Sequence, residues 1–182
     1  NVEGTYNVLE VAKDKGIENV IITSTSEVYG SAQFTPMNES HPLNPQSPYA
    51  ASKSAADQLS LSYYKSFNLP VKIIRPFNNF GPRQSNRAVI PTIINDVISK
   101  NKNITLGNIE TKRDFLYVKD TVVAYEKIMN SNNFYGEVFN FGNGKSYKIS
   151  KIVDEIQKIN LTNKKINISN MKLRPKKSEV FD

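Results

Sequence analysis

The chain contains no cysteine and a single histidine, His41. The first absence excludes disulfides and thiolate metal sites. The second disfavours a histidine-based metal site and a Ser-His-Asp triad, so no metal is expected. No apolar run approaches the roughly 20 residues needed to cross a bilayer. The first residues lack the basic-then-apolar layout of a secretion signal. Together these absences point to a cytoplasmic protein with no membrane partner.

At 182 residues, 38% hydrophobic and 23% charged, the chain has a globular composition and enough length to bury a sizeable core. Its net charge is +7, with a pI near 9.4. A basic balance can mark a nucleic-acid partner. Here the lysines are scattered, and the densest basic cluster (Lys164, Lys165, Lys172, Arg174, Lys176, Lys177) lies near the C-terminal end. No nucleic acid is expected, and a basic cleft equally suits a small anionic substrate.

Hydrophobic periodicity divides the chain into alternating helices and strands. Residues 2–15 read as an amphipathic helix stopped by Gly16, and residues 19–24 as a strand. Residues 31–48 hold Pro36, Pro42, Pro45 and Pro48 and read as an irregular loop. Ser47-Pro48 opens a helix to about Phe67, and Val71 to Arg75 is the next buried strand. Beyond Gly81-Pro82 come a helix over 90–100 and strands over 104–106 and 114–118. Asp120 is the expected N-cap of a helix to about Met129, and Ser150 that of a helix to about Ile159. Val138 to Phe141 and Ile166 to Ile168 read as strands.

The chemistry concentrates in two stretches. Asn19-Val-Ile-Ile-Thr-Ser-Thr25 is an apolar, β-branched run ending in hydroxyls. It reads as a buried parallel strand, and ligands bind at the C-terminal ends of such strands. Ser24 to Gly30 reads Ser-Thr-Ser-Glu-Val-Tyr-Gly, and Ser47-Pro-Tyr-Ala-Ala-Ser-Lys53 follows. A Tyr four residues before a Lys on a helix places Tyr49 and Lys53 on one face. The ammonium is expected to lower the phenol pKa towards neutrality. A hydroxyl from Ser24 or Thr25 completes a relay to a substrate alcohol, and Glu27 adds a carboxylate beside it. A phenol base next to a carboxylate suits removal of one proton from oxygen and one from carbon.

On these motifs the chain resembles the extended short-chain dehydrogenases/reductases, in the NAD-dependent nucleotide-sugar epimerase/dehydratase family. The resemblance covers essentially the whole chain. Asn1-Val-Glu-Gly-Thr-Tyr-Asn-Val-Leu-Glu10 resembles the helix before the catalytic strand, and Arg75-Pro-Phe-Asn-Asn-Phe-Gly-Pro-Arg83 the segment after the next core strand. Arg113-Asp-Phe-Leu-Tyr-Val-Lys-Asp120 and Asn140-Phe-Gly-Asn-Gly144 resemble substrate-domain motifs. Arg174-Pro-Lys-Lys-Ser-Glu-Val180 resembles a late nucleotide-contacting motif. The implied fold class is α/β: the C-terminal half of a doubly wound Rossmann parallel sheet plus a smaller mixed α/β substrate domain. Residues 1–82 would be a partial NAD-binding domain carrying the catalytic residues, and residues 83–182 the nucleotide-sugar-binding portion.

The resemblance also implies roles. Tyr49 takes the proton from the sugar 4-hydroxyl while hydride passes from C4 to NAD. Lys53 matches the residue that lowers the tyrosine pKa and bonds the nicotinamide ribose. Thr25 matches the hydroxyl that bonds the reacting oxygen, and Ser24 faces the cofactor or the core. With C4 a ketone, the C5 hydrogen is acidic, and Glu27 is the expected base that removes it and expels the C6 hydroxyl as water. Hydride then returns to C6, so NAD is regenerated. Asn78 is the implied contact to cofactor and substrate. Asn79, Arg83, Arg113 and Arg174 are implied substrate contacts, the arginines through a fork that suits phosphate. Arg87 suits the same work, and His41 and Glu39 lie in the proline-rich loop near the sugar, His41 as a packing residue.

Glu27 separates the subfamilies. Epimerases resembling the UDP-galactose enzyme carry a small apolar or hydroxyl residue there. The dTDP-glucose dehydratases carry Thr-Asp-Glu, where the Asp protonates the leaving hydroxyl. Thr25-Ser26-Glu27 departs from that triplet and resembles the GDP-mannose and some UDP-sugar enzymes. Ser26 is a poor acid in the Asp position, which leaves the proton donor open between Glu27 and a bound water. The expected activity is an NAD-dependent nucleotide-sugar 4,6-dehydratase acting on UDP-N-acetylglucosamine or a related hexose. UDP-glucuronate decarboxylase and C4 epimerase are alternatives, as is a catalytically silent nucleotide-sugar-binding protein. A homodimer is expected through the Tyr-bearing helix (Ala55, Leu59, Tyr63) and residues 2–12. Family members also begin with a strand and a Gly-x-x-Gly-x-x-Gly turn that cradles the dinucleotide pyrophosphate. None of the eight glycines fits that spacing ahead of the catalytic strand. The chain is therefore expected to be an internal fragment, inactive and unable to hold NAD alone.

Overall fold

The computed structural model describes residues 1–173. Helix α1 (Val2–Asp14) stops at Gly16, whose φ of +62° is the left-handed geometry of a helix end. Strand β1 (Val20–Thr23) runs into a short 3-10 turn (Ser26–Tyr29), and a loop without regular structure leads to helix α2 (Pro48–Phe67). Strand β2 (Val71–Pro76) is buried throughout. It pairs in parallel with β1 on one side and with β6 (Val138–Phe141) on the other. The first sheet thus draws its third strand from the second half of the chain. Leu9, Ala12, Val20, Tyr63, Leu69, Val71 and Ile73 form the core between this sheet and helices α1 and α2. Each large aliphatic side chain fully buried there contributes about 1.5–3 kcal/mol.

Strand β3 (Asn78–Phe80) pairs in parallel with β5 (Lys112–Tyr117), and β7 (Ser146–Lys148) pairs antiparallel with β5. Strand β4 (Asn103–Leu106) pairs in parallel with β8 (Lys165–Ile168). Helices α3 (Val89–Ile98) and α5 (Ile149–Ile159) pack over that pair, burying Ile93, Val97, Ile104, Leu106, Ile149 and Val153. Helix α4 (Val118–Met129) is held to the first sheet by a buried amine. Lys72 Nζ donates to Ile128 O at 3.0 Å and to Ser131 O, covering carbonyls at the helix end. Burial pushes the Lys72 pKa down.

The fold is α/β with parallel sheets, as the sequence implies. Two expected caps are corrected. Helix α4 starts at Val118 and α5 at Ile149, each continuing directly from a strand with no side-chain cap. Asp120 therefore sits within the first turn, where a carboxylate still complements the helix dipole. Ser150 also lies inside its helix rather than before it. Strands β3 and β7 go beyond the elements that periodicity marks out. Of the expected pairing face, Tyr63 is buried between α1 and α2 and Leu59 packs on the same core, while Val2, Tyr6, Val8 and Val11 are exposed. No helix among the described residues is long and apolar enough to cross a membrane.

Candidate active site

The end of β1 delivers Ser24 and Thr25 to the rim of the first sheet, and the chain turns there at once. Thr25 Oγ1 accepts a hydrogen bond from Glu27 N at 3.2 Å, which caps the 3-10 turn. Gly30 closes the turn at φ +67°, and a Cβ there would lie 2.2 Å from Asn44 O. Only glycine allows the loop to return this close. Asn44 N then donates to Val28 O at 3.0 Å. The loop itself is built around His41, which is buried. Its Nε2 accepts from Gln33 N at 2.9 Å, and its ring packs against Tyr29 and Phe34.

Helix α2 supplies the facing groups. Ser47 Oγ accepts from Ala50 N at 3.1 Å and Pro48 opens the first turn. That places Tyr49 beside Thr25 and Glu27, with its side chain half-exposed. Burial, and then the negative charge of Glu27, push the Tyr49 phenol above its ordinary pKa; a hydrogen bond from Thr25 works the other way. This corrects the expectation of a phenol lowered by Lys53. Lys53 Nζ instead donates to Thr23 O at 2.8 Å, so its ammonium is turned to the strand end. Thr25, Glu27 and Tyr49 are brought together. Ser26 is buried within the turn.

Behind these groups lies a buried ion pair. Asp57 Oδ2 accepts from Arg75 Nε at 2.9 Å, and both side chains are almost fully buried. Burial pushes the Asp57 carboxyl up, against the pull of the Ser24 hydroxyl and of Arg75. Ser24 Oγ and Asp57 Oδ1 are buried and lie near one another without a well-formed hydrogen bond.

Across the chain, Asn78, Asn79, Arg87, Asn108, Thr111 and Arg113 line part of a cavity of about 730 Å³. Asn78 Nδ2 donates to Asp114 O at 3.2 Å, and Asn79 Oδ1 accepts from Thr121 Oγ1 at 2.6 Å. Arg113 Nη1 donates to Lys112 O at 3.1 Å. Arg83 does not join them. It lines a neighbouring cavity of about 980 Å³ that includes Phe80, Ile90, Ile94 and Tyr147. Arg174 lies outside the described residues. Arg87, from the same loop, lines the first cavity, and the two cavities share Gln84, Asn86 and Ile90. Sequence reasoning also missed Asp57, Arg75 and Tyr29. The signals were Asp57 one helical turn beyond Lys53, and two cations inside the strand Val71-Lys-Ile-Ile-Arg-Pro76. Among the described residues no group of three or more His, Asp or Glu side chains is placed to hold a metal ion.

A family model described as GDP-mannose 4,6 dehydratase matches residues 1–181. The dTDP-D-glucose 4,6-dehydratase of Dictyostelium discoideum is 37% identical over 180 residues, covering 93% of this chain and 39% of that protein. The crystal structure of dTDP-glucose 4,6-dehydratase from Bacillus anthracis in complex with NAD matches with a TM-score of 0.90 at 31% identity, covering 99% of this chain and 57% of the other. The UDP-N-acetylglucosamine 4-epimerase from Methanobrevibacter ruminantium, in complex with UDP-N-acetylmuramic acid, matches with a TM-score of 0.89 at 30% identity, covering 100% of this chain and 58% of the other. The chain thus spans 39% to 58% of the length of these relatives.

Proposed function

The chain belongs to the GDP-mannose 4,6-dehydratase family of extended short-chain dehydrogenases/reductases, and on that premise we propose that it carries the acid-base and sugar-binding residues of an NAD-dependent nucleotide-sugar 4,6-dehydratase. The observation that carries this reading is the meeting of Glu27 with Tyr49 beside the Thr25 hydroxyl. Epimerisation at C4 needs a base for oxygen alone. Elimination of water across C5 and C6 needs a base for carbon as well.

The donor set suits a nicotinamide riboside. It comprises a phenol, a hydroxyl, and an ammonium that keeps protons beyond the one given to Thr23, all at the C-terminal edge of a parallel sheet. The pyrophosphate half finds no glycine-rich turn in this sequence. When bound, NAD supplies the hydride acceptor at C4 and the hydride donor at C6. Tyr49 takes the 4-hydroxyl proton while Thr25 bonds the same oxygen, and Lys53 holds the ribose. Glu27 takes the C5 proton made acidic by the adjacent ketone. The C6–O bond then breaks, and Glu27 returns its proton to the departing hydroxyl, which leaves as water. Ser26, beside Glu27 in the turn, belongs to the proposed catalytic set, and of the two donors open for the departing hydroxyl, Glu27 and a bound water, this reading assigns Glu27. With hydride returned to C6, a solvent proton taken up at C5 completes a 4-keto-6-deoxy sugar, and Tyr49 releases the proton it took to solvent, so that one water is lost overall.

Asn78, Asn79, Arg87 and Arg113 of the polar cavity hold the nucleotide diphosphate, with Arg83 from the neighbouring cavity, and Thr121 braces Asn79; Arg174, outside the described residues, is a further contact proposed from the motif alone. UDP-N-acetylglucosamine or a related nucleotide hexose is the proposed substrate. Residues 1–82 act as the partial NAD-binding portion and residues 83–182 as the sugar-nucleotide portion, with β6 rejoining the first sheet. The exposed Val2, Tyr6, Val8 and Val11 of α1 offer the face through which a cytoplasmic homodimer pairs.

A second reading, C4 epimerase, is favoured by the close likeness to the Methanobrevibacter epimerase. The two are separated by incubating the full-length protein with a panel of UDP-, dTDP- and GDP-sugars and following products by NMR. A 4-keto-6-deoxy sugar supports the dehydratase, and a C4 epimer supports the second reading. A pentose from UDP-glucuronate supports a decarboxylase, and no turnover of any sugar leaves a silent binding protein.

A further inference from the structure

The two elements that carry the proposed bases, the 3-10 turn and α2, are tied together by one side chain from a third. Arg75 comes from β2 and is 3% exposed. Its Nε donates to Asp57 Oδ2 at 2.9 Å, and its Nη1 donates to the Tyr29 hydroxyl at 2.8 Å. Asp57 follows Tyr49 and Lys53 at four-residue steps, so all three share one stripe of α2. Tyr29 is the last residue of the turn that bears Glu27. Its hydroxyl passes the chain of bonds on to Asn140 Oδ1 at 2.7 Å, and the guanidinium lies 4.9 Å from its ring centroid. Tyr29 and Asp57 are both fully buried.

A guanidinium is planar and its donors point in fixed directions, so two such bonds fix the spacing of their acceptors. A buried charge is costly to place in a strand core. What this one supplies is geometry: one arm ends on the Glu27-bearing turn and the other on the Tyr49-bearing helix. We propose that Arg75 is a positioning residue, clamping turn to helix so that the carbon base and the oxygen base keep their separation. The kinetic consequence rests on the dehydratase reading of Glu27 and Tyr49; the structural consequence rests on the bonds alone.

The test compares the full-length protein with its Arg75→Lys and Tyr29→Phe variants. Lysine keeps a positive charge beside Asp57 but cannot hold two acceptors at set angles. Amide hydrogen exchange is read over residues 27–29 and 49–53, together with kcat and KM. The clamp predicts faster exchange in both segments of Arg75→Lys, a fall in kcat on the order of 100-fold, and a KM within about threefold of the unaltered value. Tyr29→Phe removes the arm to the turn, together with the bond from Tyr29 to Asn140, and leaves the arm to Asp57, so exchange rises over 27–29 and stays unchanged over 49–53. If Arg75→Lys does not fold, the Tyr29→Phe pattern decides alone. Unaltered exchange over 27–29 in Tyr29→Phe, or unaltered kcat in a folded Arg75→Lys, overturns the clamp. If the unaltered protein turns over no nucleotide sugar, the dehydratase reading fails and the exchange pattern still judges the clamp.

Discussion

Burial of the Tyr49 phenol, and after it the negative charge of nearby Glu27, push its pKa above the ordinary value. A negative neighbour disfavours the phenolate, so neutralising it lowers the pKa. Glu27→Gln therefore moves the Tyr49 pKa down. The rise with pH in the rate of C4 oxidation, read as cofactor reduction in a single turnover, shifts to lower pH in the variant. A shift to higher pH would contradict the pairing.

A second pair links α1 to α2. Tyr63 donates to the Glu10 carboxylate, which Lys13 also bonds at 2.8 Å. Those bonds hold Glu10 below its usual 4.5 and push Tyr63 up to about 12. Tyr63 keeps its proton more tightly in the folded chain, so its contribution is full below about pH 10 and is lost as pH rises through about 12. Glu10 keeps its proton less tightly, so its contribution is full above about pH 4.5 and is lost as pH falls through its lowered value. Burial also raises Tyr29 and Tyr49, so the spectrophotometric titration is read as a difference: Glu10→Gln brings one tyrosine from about 12 back towards 10 and leaves the other late ones in place. A titration unaltered by Glu10→Gln would refute the contact.

Gly30→Ala strikes the turn beneath Glu27. The positive φ alone costs about 1–3 kcal/mol for a side-chain-bearing residue. The added Cβ also meets a backbone oxygen at 2.2 Å, which forces Asn44 aside. Urea unfolding should show a loss of at least about 2 kcal/mol. A loss below about 0.5 kcal/mol, the range of an ordinary surface change, would mean that the loop yields freely.

The 182-residue chain by itself should not bind NAD tightly, because no glycine-rich turn is present to hold the pyrophosphate. Calorimetry checks this directly. Micromolar binding by the isolated chain would mean that other groups of this chain hold the pyrophosphate, and would overturn the expectation.

Much of the scaffold is legible in the sequence because its signals are local. Ser47, Pro48 and the run to Phe67 mark both ends of α2, and the apolar stretches before Thr25 and Arg75 mark buried parallel strands. The starts of α4 and α5 are not legible. Asp120 and Ser150 are good capping residues, but each helix continues straight out of a strand, and that depends on the β5–β7 pairing. Strands β3 and β7 are three residues each and exist only because β5 lies beside them. In the site, the grouping of Thr25, Glu27 and Tyr49 follows from motif order. The bond of Lys53 to Thr23 and the pairing of Asp57 with Arg75 follow from how α2 lies across the strand ends, which no local pattern encodes.

The most direct test of Glu27 as the carbon base follows deuterium at C5. The full-length protein and its Glu27→Gln variant are incubated with the accepted nucleotide sugar in deuterated water. The expected product from the unaltered protein is a 4-keto-6-deoxy sugar labelled at C5. From Glu27→Gln the expected result is C4 oxidation with no loss of water and no label at C5. A variant that still forms the labelled product at the unaltered rate would contradict the assignment of Glu27 as the carbon base, and with it the reading of this site as a dehydratase.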